Sequence, residues 1–180
     1  MKNQDLYQLF IDELEDMYSS ETQIIESLPK LIKLASFPDL KEALKKHLKE
    51  TENQVVRIEN IFSILNVKIQ EKNCEAMEGL LKEADDLVAN KAQSPVLDAA
   101  IISAAQKVEH YEIASYGTLR SFAKYLDLDS EIADLIQATL DEEGEADKKL
   151  TKIAEGSIFF SGVNKEAVEF SNASARKTKK

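Results

Sequence analysis

The segment 106–116, Gln-Lys-Val-Glu-His-Tyr-Glu-Ile-Ala-Ser-Tyr, sets two acids on what should be the apolar face of a long helix. At about 100° per residue, Ala105, Val108, Glu112, Tyr116 and Leu119 fall along one line, and Glu109 lies just beside it. Two carboxylates therefore point inward together, while His110 projects from nearly the opposite side and reads as solvated. The same reading puts Glu21 and Glu143 in the middle of apolar stripes on two other helices, with Asp147 one turn beyond Glu143. Glu50, on a further helix, lies nearer the boundary of its buried face, with His47 one turn before it and Gln54 one turn after it. Desolvation and mutual repulsion raise the pKa values of clustered carboxylates, so the cluster needs compensating positive charge. Lysine and arginine are absent from these inward positions, which leaves bound metal or shared protons. Carboxylates with one imidazole suit iron or manganese better than a thiolate zinc site would. Two divalent ions bridged by Glu112 and a partner would offset most of the charge. The expected metal-ligating set is Glu21, His47, Glu50, Glu109, Glu112, Glu143 and Asp147, supported by Gln54, Tyr18 and Tyr116 around it. Di-metal bundles draw one Glu from each of two helices and Glu-x-x-His from each of the other two. This chain departs from that pattern: Asn53 follows Glu50, Glu112 follows Glu109 and Ala146 follows Glu143 at that spacing.

Four long helices must position these groups. The first is predicted over about Asn3 to Ala35, with Tyr7, Phe10, Leu14, Tyr18, Ile25 and Leu28 inward and a bend at Pro29. Ser36-Phe-Pro-Asp39 breaks it, because the residue before a proline is pushed out of helical geometry. The second runs from about Asp39 to Leu65 and buries Leu44, Leu48, Thr51, Val55, Ile58 and Phe62. A polar loop and a short helix, Glu75 to Val88, form a crossover long enough to travel the height of a bundle. Ser94-Pro95 starts the third long helix, to about Leu126. Asp127–Ser130 caps the fourth, from Ser130 to Glu155, which Gly156 stops. Glu21, Glu50, Glu109 with Glu112, and Glu143 lie near the midpoints of their helices, so these carboxylates are expected to meet in one layer.

The composition fits this architecture. In 180 residues there are 5 glycines, 3 prolines and no tryptophan, with 43% hydrophobic and 31% charged residues, enough for one all-α domain. The formal charge of -10 argues against nucleic acid and anionic membrane surfaces as partners. Cys74 is the single cysteine, so no intramolecular disulfide forms, and it reads as a structural or surface thiol. No signal-peptide pattern or bilayer-length apolar run is apparent, and a cytoplasmic protein is expected. The domain should span 1–156. The remainder, 157–180, carries an apolar patch at Ile158, Phe159 and Phe160, expected to pack on the bundle or a second subunit. It ends in Arg176, Lys177, Lys179 and Lys180, with the last ten residues expected to be disordered.

The segments Tyr18–Gln23, His47–Thr51, Cys74–Leu80, Ala105–Leu119 and Thr139–Glu143 resemble the YciE/YciF-like family of bacterial stress-associated proteins, in the ferritin-like superfamily. The fourth of these is highly specific; the short ones are weak singly. The resemblance implies a ferritin-like four-helix bundle with an additional crossover helix, often dimeric, with a di-metal site. The function expected is that of a di-metal, iron-containing carboxylate protein reacting with oxygen or peroxide in a stress response. The alternatives are a bundle that holds metal without turnover and a metal-free interaction module.

Overall fold

A computed structural model describes residues 2–177 as six helices. They are α1 (Lys2–Leu34), α2 (Pro38–Leu65), α3 (Glu75–Val88), α4 (Pro95–Tyr125), α5 (Ser130–Glu155) and α6 (Val163–Lys177). Local chemistry accounts for the boundaries. Pro38 opens α2 behind an extended Phe37. The α1–α2 link is held by buried Asp98, whose carboxylate accepts from Ser36 N at 2.7 Å, Ser36 Oγ at 2.6 Å and Phe37 N at 3.1 Å. Ser94 Oγ accepts from Leu97 N at 3.2 Å with Pro95 in the first turn, and Asp129 accepts from Glu131 N at 2.9 Å. Each cap satisfies a backbone donor that the helix start leaves free.

Two apolar cores, one at each end of the bundle, fix the topology. One gathers Leu28 and Leu31 of α1, Leu40 and Leu44 of α2, Ile101 of α4 and Ile153 of α5, together with Met77 of α3. The other gathers Phe10 and Leu14 of α1, Ile58 and Phe62 of α2, Leu119 of α4 and Ile132 of α5. The starts of α2 and α4 thus share one end with the finishes of α1 and α5. Helices α2 and α4 run parallel, and the 66–94 crossover carrying α3 spans the height of the bundle. Helix α1 packs on α2 and α4, and α5 packs on the same two. This is the ferritin-like four-helix arrangement, and the acids occupy the layer between its two apolar cores.

The inward faces differ from expectation on two helices. On α1, Met17 and Ile24 are buried while Tyr18 and Ile25 are only half-buried, so the face is turned by one residue position there. The spacing Phe10, Leu14, Met17, Glu21, Ile24, Leu28 alternates fours and threes, which tracks a 3.6-residue turn more closely than a Leu14, Tyr18, Ile25 series. On α2 the buried line runs through Leu40, Leu44, His47, Thr51, Gln54, Ile58 and Ile61, leaving Leu48 and Val55 at the flank. The stripes of α4 and α5 lie where the periodicity puts them.

The C-terminal segment also differs. Instead of disorder over the last ten residues, 171–177 continue α6, which packs on α4; residues 178–180 lie outside the described residues. Ile158 and Phe159, 92% and 89% exposed, stand clear of the bundle at the tip of the loop before α6. That loop reverses the chain by bringing Gly156, at φ 75°, against Gly162. A Cβ on Gly162 would collide with the backbone of Glu155 and Gly156, and this long-range approach leaves no periodic trace in the sequence. Gly162→Ala is expected to cost about 1–3 kcal/mol and to loosen α6. Faster limited proteolysis in 156–162 and a lower melting temperature would register it.

Candidate metal centre

The middle layer brings His47 of α2, Glu109 and Glu112 of α4 and Glu143 of α5 together. Each offers one ligand atom, and these atoms all lie within 4.8 Å of one another. All four side chains are buried. Glu21 of α1 is buried beside them, its carboxyl against that of Glu112 and its Oε1 accepting the hydrogen bond of the Tyr116 phenol. His47 Nε2 stands 3.6 Å from Glu109 Oε1 and its Nδ1 4.0 Å from Glu143 Oε2. Both distances exceed a hydrogen bond, so neither carboxylate satisfies the ring. The α-helical geometry explains the arrangement: Glu109 and Glu112 are one turn apart on α4, and each remaining helix contributes one group at the same height.

Gln54 is buried and donates through its amide to Glu143 Oε1 and, at 3.1 Å, to Glu142 Oε2. Tyr116 is buried against Glu21. Tyr18 faces away and donates to Glu59 Oε1 at 3.3 Å. Glu50 stands outside the four-residue group, paired with Lys46 at 2.5 Å. Asp147 also stands outside, accepting from Gln106 at 2.9 Å and lying 3.3 Å from His110 Nε2. The His110 side chain is 70% exposed. Replacing His110 by Ala should therefore leave the metal content unchanged, checked by elemental analysis of the loaded variant.

Arg57 is the group that periodicity missed. It sits on the flank of α2, one turn after Gln54, and makes a two-pronged pair with Glu142 at 2.6 and 2.7 Å and a bond to Thr139 Oγ1 at 3.3 Å. Burial works to raise the Glu142 pKa, but Arg57 outweighs it and holds that carboxyl below its ordinary value. Arginine thus supplies one positive charge at the edge of the layer through the residue next to Glu143. The sequence signal was available only in pairing Arg57 with Glu142 across two helices.

Inside that edge the charge is uncompensated. Burial, followed by the charge of Glu143, pushes Glu109 well above the usual carboxylate range. Burial and the neighbouring Glu21 and Glu143 do the same for Glu112. Glu21 is raised by burial and Glu143, against the opposing hydrogen bond from Tyr116. Glu21 Oε2, Glu109 Oε2, both oxygens of Glu112 and Glu143 Oε2 are buried without a hydrogen-bond partner. Buried oxygens left this way cost free energy that a proton, a bound water or a cation can recover. Several oxygens and one imidazole nitrogen converging in one layer form a donor set fitted to a metal ion.

A cavity of about 410 Å³ opens between α2 and α5 and reaches His47 and Glu109 at its inner end. Among the described residues no helix is long and apolar enough to cross a membrane.

Comparison with known proteins agrees with this architecture. Residues 5–167 match the family described as a domain of unknown function, DUF892. Protein YciF of Escherichia coli (strain K12) is 43% identical over 168 residues, covering 93% of this chain and 98% of its own. The crystal structure of that E. coli stress protein superimposes with a TM-score of 0.78 at 44% identity, over 82% of this chain and 92% of YciF. YcfI, a proposed structural protein from Rhodopseudomonas palustris, gives 0.79 at 43% identity, over 83% of this chain and 94% of its own. A Xanthomonas campestris protein at 20% identity and a TM-score of 0.64 shares the fold. With a family match over nearly the whole chain and a buried acid layer inside a ferritin-like bundle, the protein belongs to the YciF-like DUF892 family.

Proposed function

We propose that this chain is a di-metal carboxylate protein of a bacterial stress response, holding two iron ions that react with oxygen or peroxide, with manganese as the alternative metal. The observation that carries the reading is the set of unpartnered buried oxygens on Glu21, Glu109, Glu112 and Glu143 beside His47. His47, Glu109, Glu112 and Glu143 would hold one ion, and Glu112 with Glu21 would reach a second. Iron held there would supply redox chemistry, two ferrous ions giving the two electrons that, with two protons, take one peroxide to two waters. The chain's own residues do the rest. Gln54 fixes Glu143 through its amide, Tyr116 fixes Glu21 through its phenol, and Arg57 holds Glu142 ionised so that the Gln54 amide stays anchored. The two apolar cores close the layer above and below, leaving the cavity between α2 and α5 as its opening to solvent. The stress-response assignment rests on the name of the E. coli relative. A cytoplasmic setting fits the single, buried Cys74, and the exposed Ile158 and Phe159 offer a second copy an apolar contact for a homodimer.

A second reading, metal held without turnover, is favoured by the structural role proposed for YcfI. Anaerobic iron loading followed by peroxide separates the two. A ferrous-to-ferric absorbance change faster than that of free iron, with one peroxide consumed per two irons, supports the redox reading. Oxidation no faster than that of free iron supports the structural one.

A further inference from the structure

We propose that the cavity between α2 and α5 is the path by which a divalent cation reaches the buried layer, with Glu50 and Glu145 as transient ligands at its mouth. The inference rests on the metal-binding reading and goes beyond it, because it assigns work to residues that stand outside the metal-holding group.

Two hollows end on His47 and Glu109. The one facing α1 and α3 has a volume of about 20 Å³ and apolar walls that include Leu28, Leu31, Leu81 and Val108. It has room for about one water, so a cation would have to shed its hydration shell against hydrocarbon. The hollow between α2 and α5, at about 410 Å³, accommodates an ion with its water. Ala43 and Ala146 face it from the two helices, and their small side chains keep it open. Ala146 stands where a Glu-x-x-His helix would carry imidazole, so this chain has a passage at the position where others of that pattern have a ligand.

The lining is graded along the path. Asp39, Glu42, Glu50 and Glu145 lie towards solvent against Lys46 and Lys149, leaving acid in excess. On a chain of formal charge -10 such a mouth concentrates cations. Of these, Glu50 is 18% exposed and engaged by Lys46 at 2.5 Å. At the inner end are buried His47, with no carboxylate within hydrogen-bond distance of its ring, and Glu109, with Oε2 unpartnered. An ion moving inward exchanges water for Glu145 and Glu50, then for His47 and Glu109, so no single step carries the whole desolvation cost. Lys46 must release Glu50 for the ion to pass, which makes that pair a competitor for the incoming charge.

The test follows uptake of Co²⁺ alone by the metal-free full chain in stopped flow, read from the ligand-field absorption of the bound ion. Glu50→Gln with Glu145→Gln should slow uptake about tenfold at low ionic strength, and the difference should shrink in salt. Lys46→Gln should speed it. Ala146→Phe should slow it at every salt concentration, and Glu83→Gln, on α3 away from the path, should leave it unchanged. All variants should reach the wild-type final stoichiometry. Wild-type rates in both the double variant and Ala146→Phe would overturn the path, as would a lower final stoichiometry in the double variant, which would make Glu50 or Glu145 a resident ligand. Failure of the wild-type chain to bind Co²⁺ would overturn the metal-binding reading and the path with it.

Discussion

Glu112→Ala is expected to abolish loading of at least one metal ion per chain and, in the metal-free protein, to cost less stability than an ordinary large-to-small change in a core. Both effects have one cause. Glu112 is fully buried, neither of its oxygens has a hydrogen-bond partner, and it stands between Glu21 and the group formed by His47, Glu109 and Glu143. Without metal it is a desolvated acid among acids, so its removal relieves repulsion while opening a cavity. Glu112→Gln separates the two contributions, because it keeps the volume and removes the charge. That variant should be more stable than the metal-free wild type by about 1–3 kcal/mol and should still fail to load fully. Chemical denaturation of the metal-free proteins and elemental analysis of the reconstituted ones read the two halves separately. A Glu112→Gln chain that loads normally would remove this residue from the site.

The second large effect is on the pH dependence of stability. Glu21, Glu109 and Glu112 have folded-state pKa values raised well above the ordinary value of 4.5, each chiefly by burial. Between that value and the raised ones the folded chain holds protons that the unfolded chain has released. Stability is therefore greatest below about 4.5 for these groups and is lost as pH rises through their folded values. Each tenfold change in a group's proton affinity on folding is worth about 1.4 kcal/mol, and all three acids shift in the same direction. The metal-free protein should melt at a lower temperature at pH 8 than at pH 5. Below pH 4 the opposite behaviour of Glu142, held ionised by Arg57, adds an acid-sensitive limb. Metal replaces the protons, so the loaded protein should lose this decline and bind metal more tightly as pH rises. General repulsion in an acidic chain also weakens stability with rising pH; the part due to the layer is the part that Glu112→Gln reduces. A metal-free melting temperature that climbs from pH 5 to pH 8 would contradict the assignment of these three acids as buried and uncompensated.

Much of the layer was legible because height along a helix survives errors in rotation. Glu21, Glu109, Glu112 and Glu143 lie near the middle of helices whose ends are marked by Pro38, Ser94-Pro95, Asp129 and Gly156, and a bundle aligns such midpoints. Rotation is harder to read. On α4, apolar residues flank Glu112 at threes and fours, and the face is fixed by Ala105, Val108, Tyr116 and Leu119. On α1, Met17 and Tyr18 are neighbours of similar hydrophobicity, and only the full run of fours and threes from Phe10 to Leu28 chooses Met17. Tyr18 was accordingly expected near the acids and stands instead against Glu59. Glu50 has the right height and the wrong rotation, so Lys46 reaches it where His47 and Gln54 face the interior.

Arg57 and α6 were hidden for another reason. The Arg57–Glu142 pair depends on the α2–α5 contact, and the docking of α6 depends on the approach of Gly156 to Gly162. Neither leaves a local periodic signal. Helix α6 is also mostly polar, with Val168 and Phe170 exposed, so its apolar face is too sparse to announce a helix.

The most direct test of the central claim is the metal content of the full chain, purified without a metal-affinity resin, reconstituted anaerobically with ferrous iron and freed of excess ion before elemental analysis. The buried layer predicts about two irons per chain, reduced in Glu112→Ala and unchanged in His110→Ala. Protein that folds normally and retains no stoichiometric iron or manganese would contradict it, and would mean that the five unpartnered oxygens are balanced by protons or water instead.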